Sequence, residues 1–184
     1  IIKDESMKVH EKGNLQLIEG FSEFLKETSK KAVLVLFEYG LDIDAAKDLI
    51  RSLNIQKHVV WAPKMKRKEI MFGLKLADVG CGQFVNSWLT CGVVNETLAA
   101  ETILLHYRND DLYVKDYPEL YPLLNANTPL EIKECLLNLE FGKIDCSNYE
   151  KQGADWLKKY SVDQAINIIV ETIESRNTSK KMTR

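Results

Sequence analysis

Short, continuously apolar segments that alternate with amphipathic stretches constrain the fold of this chain more than any other feature. Residues 32–37 (AVLVLF) are uninterrupted in their hydrophobicity and rich in β-forming residues, which is typical of a strand covered by helices on both faces. Further short apolar segments follow at 58–61, 78–81 and 103–107. Strands that alternate with helical patterns predict βαβ units and a parallel sheet.

The amphipathic stretches predict helices around these strands. In residues 14–28, apolar side chains recur every three or four positions, and polar side chains occupy the opposite face. The other predicted helices are at 42–53, 66–74, 95–101, 117–124, 129–139, 149–160 and 162–174. We therefore expect one α/β domain over residues 1–177 with a helical C-terminal cap, followed by a polar, disordered tail at 178–184.

Charge and composition exclude several function classes. In the 184 residues, 25 lysines and arginines stand against 27 acidic residues, which gives a formal net charge of -2. No global basic field therefore exists to hold nucleic acid or anionic lipid. The apolar segments are far shorter than the ~20 residues that cross a bilayer, and the residues after Ile1 do not resemble a signal peptide. We expect a cytoplasmic protein without a transmembrane segment, and the start without Met suggests a piece of a longer chain.

The spacing of cysteines and histidines predicts neither a metal site nor a disulfide framework. No two cysteines form a C-x-x-C pair, and the three histidines, His10, His58 and His106, lack the spacing of metal ligands. We expect reduced, buried thiols at Cys81, Cys91, Cys135 and Cys146.

The segment 82–100 (GQFVNSWLTCGVVNETLAA) carries the candidate binding site. It joins the end of a predicted strand to the start of a helix, which is where open α/β sheets bind ligands. Gly92 allows a phosphate to approach the backbone, so the amides of Gly92, Val93 and Val94 are candidates to bind a pyrophosphate at the positive end of the helix. Glu96, one turn later, could accept hydrogen bonds from ribose hydroxyls.

A purely structural interpretation of this segment stays open. In that interpretation the glycine only relieves strain, and the glutamate only stabilises the helix dipole. The pattern Gly80-x-Gly82-x-x-Val85 is an incomplete dinucleotide fingerprint because its third position is valine. We therefore predict no NAD site.

Several motifs together resemble the C-terminal, nucleotide-sugar-binding domain of family-four glycosyltransferases, which have the GT-B fold. The segment KGNLQLIEGF at 12–21 is similar to the opening phrase K-G-x-D-x-L-I-x-A-F of that domain. ADV at 77–79 and ETLA at 96–99, in place of the family's E-A-L-A, follow in the family's order. The resemblance covers residues 12–107 and implies a Rossmann-like, three-layer parallel sheet with helices on both faces, one half of a GT-B fold.

The resemblance also implies an activity and a set of site residues. It implies a retaining transferase that takes a sugar from a nucleotide diphosphate without a metal or another cofactor. Lys12 stands where the family contacts the donor phosphate, and Glu96 matches the ribose-binding second acid of the family's E-x7-E motif. Trp88 replaces the first acid, and its indole could stack on a sugar. Lys64 follows the strand whose loop borders the nucleotide base, and Lys8 could substitute for a family arginine.

Partners and alternatives follow from the same resemblance. In the GT-B arrangement, the acceptor binds to an N-terminal domain of the same chain, so we expect the present piece alone to transfer little sugar. The acceptor is a glycan, a lipid or another molecule, and any membrane association of the parent would be peripheral, through the absent half. One alternative is a degenerate, inactive binding module, which Trp88 in place of an acid motivates. Another is a flavodoxin-like regulator that binds phosphate at the same edge of the sheet.

Overall fold

The computed structural model describes residues 12–182, which form an α/β structure with parallel strands. The strands are β1 (Leu34–Phe37), β2 (Val59–Ala62), β3 (Val79–Cys81), β4 (Ile103–His106) and β5 (Leu124–Asn125). The α-helices of this part of the chain are α1 (Asn14–Glu27), α2 (Ile43–Ser52), α3 (Arg67–Leu76), α4 (Gly92–Ala99), α5 (Pro129–Glu140), α6 (Cys146–Leu157) and α7 (Gln164–Met182). A π-helical segment, Lys158–Asp163, joins α6 to α7. None of the described helices is long and apolar enough to cross a membrane.

Parallel pairing of the strands confirms the predicted sheet type. β1 pairs with β2, and β4 lies between β3 and β5. The number of sheets differs from the prediction of a single sheet, because the strands form a two-stranded and a three-stranded sheet. The predicted burial of residues 32–37 on both faces is also wrong: Val35 on β1 is 54% exposed and Val60 on β2 is 51% exposed. The reason is that α1 and α2 pack against the opposite face, whereas α3 buries none of its own residues.

Two hydrophobic clusters hold the elements together. The main core lies between the sheets and α1, α2 and α5, and it includes Ile18, Phe84, Leu105 and Ile132. The aromatic core lies on the other face of β4 and is built around Trp156. Its buried residues are Val94, Leu98, Leu104, Tyr121 and Trp156. Helix α4 therefore packs between the three-stranded sheet and α6.

Several element boundaries differ from the predictions for physical reasons. The predicted helix at 117–124 is not formed; turns and the short strand β5 occupy this region. Pro118 and Pro122 lack the amide hydrogen that a helix interior requires. Helix α6 begins three residues earlier than predicted because the Asp145 side chain caps it by accepting a hydrogen bond from the Asn148 amide at 3.2 Å.

Some residues at both ends of the chain lie outside the part that the structure describes. Helix α7 continues to Met182, so residues 178–182 of the predicted polar tail have a helical backbone. Residues 1–11, which include Lys8 and His10, and residues 183–184 lie outside the described residues. The assignment of Lys8 as a substitute for the family arginine therefore stays a prediction.

Candidate functional site

The loop at 82–91 crosses the carboxyl ends of β3 and β4 before it enters α4. The Gly82 amide donates to the Leu105 carbonyl at 2.8 Å, and the Tyr107 amide donates to the Gln83 carbonyl at 3.0 Å. The first residues of the loop thus continue alongside β4 as an irregular extension of β3. This geometry delivers the chain to the edge of the sheet where parallel α/β folds bind ligands.

Lys12 and Gly13 lie directly against this loop, although 70 residues separate them in the sequence. The Phe84 amide donates to the Lys12 carbonyl at 2.8 Å. Gly13 has a φ of 75°, and a Cβ at this position would come within 2.9 Å of Phe84 Cβ and 3.2 Å of Val85 Cγ2. Only glycine satisfies both constraints without strain. The exposed Lys12 side chain consequently begins beside the loop that leads to α4.

The N-terminus of α4 is free of internal caps. The capping residue, Cys91, makes no side-chain hydrogen bond to the helix, and the amides of Gly92, Val93 and Val94 donate to no backbone carbonyl of the described residues. Nothing lies within 4 Å of a Cβ placed on Gly92. Val94 is fully buried in the aromatic core, whereas Gly92 and Val93 are at least partly exposed. The positive end of the helix is thus accessible at Gly92 and partly accessible at Val93.

Glu96, one turn into α4, forms an ion pair that the sequence did not reveal. Arg67 Nε lies 3.0 Å from Glu96 Oε1. The Glu96 side chain is 17% exposed and the Arg67 side chain 72%, so the arginine covers the carboxylate from the solvent side. Arg67 is the first residue of α3, and only the packing of α3 beside α4 brings the two residues together. The pair fixes one carboxylate oxygen of Glu96.

Trp88 and Lys64 follow strands of different sheets, Trp88 after β3 and Lys64 after β2. The Trp88 indole is 37% exposed, while its backbone carbonyl is hydrogen-bonded to His106 Nε2 at 2.9 Å. The aromatic ring therefore stands at the surface beside the start of α4. Lys64 is exposed in the loop after β2, and no contact in the described part of the chain connects it to α4. A role for Lys64 in binding remains a prediction.

Asn95 is a polar residue of this region that sequence analysis did not select. Its Oδ1 atom is buried and has no hydrogen-bond donor among the described residues. An unsatisfied buried acceptor costs about 1–3 kcal/mol. We expect Asn95→Leu to raise the free energy of unfolding by about 1 kcal/mol in a urea titration, because leucine has a similar size and no polar atom.

Asn148 provides the matched control for this substitution. It is also in the first turn of a helix, but its Oδ1 accepts a hydrogen bond from Gln152 Nε2 at 2.9 Å near the surface. Asn148→Leu should change stability by less than about 0.5 kcal/mol. Equal effects of the two substitutions would show that the Asn95 oxygen is satisfied in solution.

Two of the cysteines, Cys81 and Cys135, carry no activated thiolate. Burial raises the pKa of Cys81 to about 12, and burial also raises the pKa of Cys135 to about 11. Both thiols therefore remain protonated at neutral pH, where only the thiolate is a strong nucleophile. The described residues contain no group of three or more His, Cys, Asp or Glu side chains that could hold a metal ion.

Two solved structures of proteins in complex with UDP and a sugar ligand are similar to this chain. No protein-family model matches the sequence, and no curated protein matches it. Among solved structures, a mutant of S. aureus TarM in complex with fondaparinux, alpha-GlcNAc-glycerol and UDP matches with a TM-score of 0.65 at 12% identity. Anabaena HepE in complex with UDP and glucose matches with a TM-score of 0.61 at 14% identity.

The two matches include most of this chain but only part of each solved protein. They cover 84% and 89% of this chain, but only 31% of TarM and 45% of HepE, so the chain spans less than half of either protein. At such low identity the likeness establishes the fold. The chain thus has the Rossmann-like α/β fold, with parallel strands flanked by helices, that part of TarM and part of HepE adopt.

Proposed function

We propose that this chain is the donor-binding half of a retaining glycosyltransferase with the GT-B fold, and that it binds a nucleotide-diphosphate sugar. One observation carries the proposal. The Lys12–Gly13 turn lies against the same loop that leads to the uncapped N-terminus of α4, and Glu96 follows one helical turn later. This arrangement supports the proposal, because positive groups and a hydroxyl acceptor would then lie near one another for a diphosphate and a ribose.

The diphosphate would lie between the Lys12 ammonium group and the first amides of α4. A helix N-terminus carries roughly half a positive charge, and its unpaired N–H groups point along the axis toward an anion. When the sugar leaves, negative charge accumulates on the diphosphate, and positive groups fixed in advance lower the energy of that transition state. In this mechanism no side chain of the present chain acts as a general base.

The ribose would be recognised by Glu96. Arg67 contacts Oε1 and orients the carboxylate, and the ribose hydroxyl would donate a hydrogen bond to Oε2. Hydrogen bonds to charged groups contribute about 1.5–3 kcal/mol. Arg67 therefore supports Glu96 as a positioning residue, and its exposed guanidinium adds positive charge at the same edge.

The rest of the catalytic apparatus would come from another part of a longer protein. TarM and HepE, both with UDP bound, are more than twice as long as the part that this chain matches. Apolar side chains on α7, among them Ile166, Ile169 and Ile173, are more than half exposed. Such a surface is typical of a region that other protein covers. We infer that an acceptor-binding N-terminal domain completes the active site, and that this piece alone transfers little or no sugar.

Titration of UDP by calorimetry tests the donor site directly. We expect UDP to bind the wild-type chain and to bind Lys12→Ala and Glu96→Gln roughly 10- to 100-fold more weakly, since each loses an interaction with a charged group. Two controls match these variants in chemistry. Lys31→Ala removes an exposed lysine near the opposite end of β1, and Glu101→Gln removes a carboxylate that is paired with Lys75 at 2.8 Å.

The controls should bind UDP as the wild type does. Equal affinities for all five proteins would place the nucleotide elsewhere and contradict the proposal. A complete absence of binding in the wild type would favour the alternative of an inactive, glycosyltransferase-like module. That alternative is motivated by the exposed Trp88 at the position of the family's first acid. It would be supported if the longer parent protein were inactive with every nucleotide sugar and co-purified with an active transferase.

A further inference from the structure

A buried histidine holds the loop at 82–91 in place. His106, the last residue of β4, is fully buried. Its Nδ1 atom lies 3.0 Å from the Gln83 amide nitrogen, and its Nε2 atom lies 2.9 Å from the Trp88 carbonyl oxygen. One imidazole thus connects the two ends of the segment from 83 to 88. Gly82 permits this arrangement, because a Cβ there would lie 2.9 Å from His106 Cγ.

The two partners determine the protonation state of the ring. The Gln83 amide can only donate, so Nδ1 must accept and carry no hydrogen. The Trp88 carbonyl can only accept, so Nε2 must carry the hydrogen and donate. Both hydrogen bonds therefore require neutral imidazole in its Nε2-protonated form. A second proton, on Nδ1, would place two N–H groups against each other and break the bond to Gln83.

Other hydrogen bonds tie the same loop to the chain after β4. The Tyr113 hydroxyl donates to the Ser87 carbonyl at 2.9 Å, and the Asn109 amide donates to Ser87 Oγ at 2.8 Å. The Tyr121 hydroxyl donates to the Leu89 carbonyl at 2.5 Å. His106 differs from these partners because a single added proton on Nδ1 would break its hydrogen bond to the Gln83 amide.

We propose that His106 is the positioning residue that fixes the 82–91 loop, and with it Trp88 and the start of α4, in the conformation that binds the nucleotide. The consequence for nucleotide binding rests on the proposed function, whereas the hold on the loop does not. His106 is at the base of the loop and has no direct role in contacting the ligand. Its effect is transmitted through the backbone of Gln83 and Trp88.

The surroundings of His106 keep it neutral. Burial lowers the pKa of His106 below its ordinary value, and the positive charge of Arg108 lowers it further, against an opposing effect of the hydrogen bond to the Trp88 carbonyl. The other titratable groups of the aromatic core, which packs on this face of β4, are Tyr117, Tyr121, Tyr160 and Cys91. Of these, Tyr121 stays protonated because burial raises its pKa to about 12.

The sign of the pH effect follows from the lowered pKa. The unfolded chain, with an ordinary histidine pKa of about 6.5, binds a proton at a higher pH than the folded chain does. The stabilisation by neutral His106 is therefore complete above about pH 6.5 and is lost as the pH falls through the lower pKa of the folded state. The loop should loosen on acidification.

NMR spectroscopy of the wild-type chain, labelled with ¹⁵N, tests the hold on the loop without any ligand. We expect His106 to show a protonated Nε2 and a bare Nδ1 at neutral pH, and the amide signals of Gln83 and Trp88 to titrate together with the ring. The proposal is overturned if the ring carries its hydrogen on Nδ1, or if it gains a proton while both amide signals stay unchanged.

Variants extend the test to nucleotide binding, with UDP as the probe. His106→Asn retains an acceptor near Nδ1, and His106→Gln retains a donor near Nε2, so each keeps one of the two hydrogen bonds. We expect each to weaken UDP binding roughly tenfold at neutral pH. Each should also remove the loss of affinity that we expect of the wild type as the pH falls below about 6.5, beyond the titration of UDP itself. His58→Gln is the control, since its Nδ1 contacts the Ala32 carbonyl at 3.1 Å, far along the chain from the loop.

The two proposals fail in distinguishable ways. If UDP does not bind the wild type at any pH, the proposed function fails, while the NMR titration still decides the role of His106. If UDP binds with the same affinity and pH profile in the wild type and both His106 variants, the role of His106 is refuted and the proposed function stands. A variant that does not fold leaves the wild-type titration as the deciding measurement.

Discussion

Replacing Trp156 by alanine should lower the free energy of unfolding by about 3–5 kcal/mol, as removal of a large buried aromatic side chain typically does. Trp156 is 5% exposed and packs at the centre of the aromatic core. Its ring centroid lies 4.8 Å from that of Tyr121, 5.2 Å from that of Tyr160 and 5.7 Å from that of Tyr117. Its Nε1 donates to the Glu119 carbonyl at 2.9 Å, so the substitution also leaves an acceptor unpaired.

Guanidinium titrations of two further variants provide the comparison. Trp156→Phe retains much of the aromatic packing but lacks the N–H group, so its loss should be clearly smaller than that of the alanine variant. Trp88→Ala removes an indole that is already 37% exposed, and it should change stability by less than about 0.5 kcal/mol. A loss as large for Trp88 as for Trp156 would contradict this assignment of core and surface.

Gly20→Ala and Gly73→Ala should shift stability in opposite directions, although both replace a glycine inside a helix. A Cβ on Gly20, in α1, would lie 2.7 Å from two side-chain atoms of Ile132 and 2.8 Å from the Pro129 carbonyl oxygen, both in α5. The two helices must move apart, which costs about 1–3 kcal/mol. A Cβ on Gly73, in α3, meets nothing within 4 Å, so alanine there should add about 0.5–1 kcal/mol through helix propensity.

Urea titrations of the two glycine variants in parallel would measure this difference. Both variants replace glycine by alanine inside a helix, so helix propensity contributes equally to their changes in the free energy of unfolding. The difference between the two changes therefore measures the effect of the close approach of α1 and α5. If Gly20→Ala proved as stabilising as Gly73→Ala, the tight packing between these helices would be absent in solution.

Hydrophobic periodicity predicted the type of most elements correctly. The helix expected at 14–28 is Asn14–Glu27, and the helix expected at 129–139 is Pro129–Glu140, where Thr128 and Glu131 form a capping box. The hydrophobic periodicity of both segments and the capping box of the second are strong local signals, so tertiary contacts shift the ends of these helices little. Residues 117–124 show the limit of the method, because their apolar spacing suggested a helix that Pro118 and Pro122 do not allow.

Sequence reasoning located the candidate site but not its internal contacts. Motif resemblance selected Lys12 and Glu96, and the structure brings the Lys12 turn against the loop that leads to the helix of Glu96. Arg67 was not selected from the sequence, since its ion pair with Glu96 depends on the packing of α3 beside α4. His106 was considered only as a metal ligand and set aside for its spacing. Its contacts with residues 83 and 88 arise from strand order, which no local pattern encodes.

Helix α4 contributes to the core and to the candidate site at once, and this has a consequence for the thermodynamics of binding. Val94, Thr97 and Leu98 anchor the helix in the interior, while Gly92 and Val93 form its open end. The donor groups are consequently preorganised, and an anion that arrives there orders almost no additional backbone. If the chain binds a nucleoside diphosphate as proposed, the ligand should therefore associate without a slow conformational step.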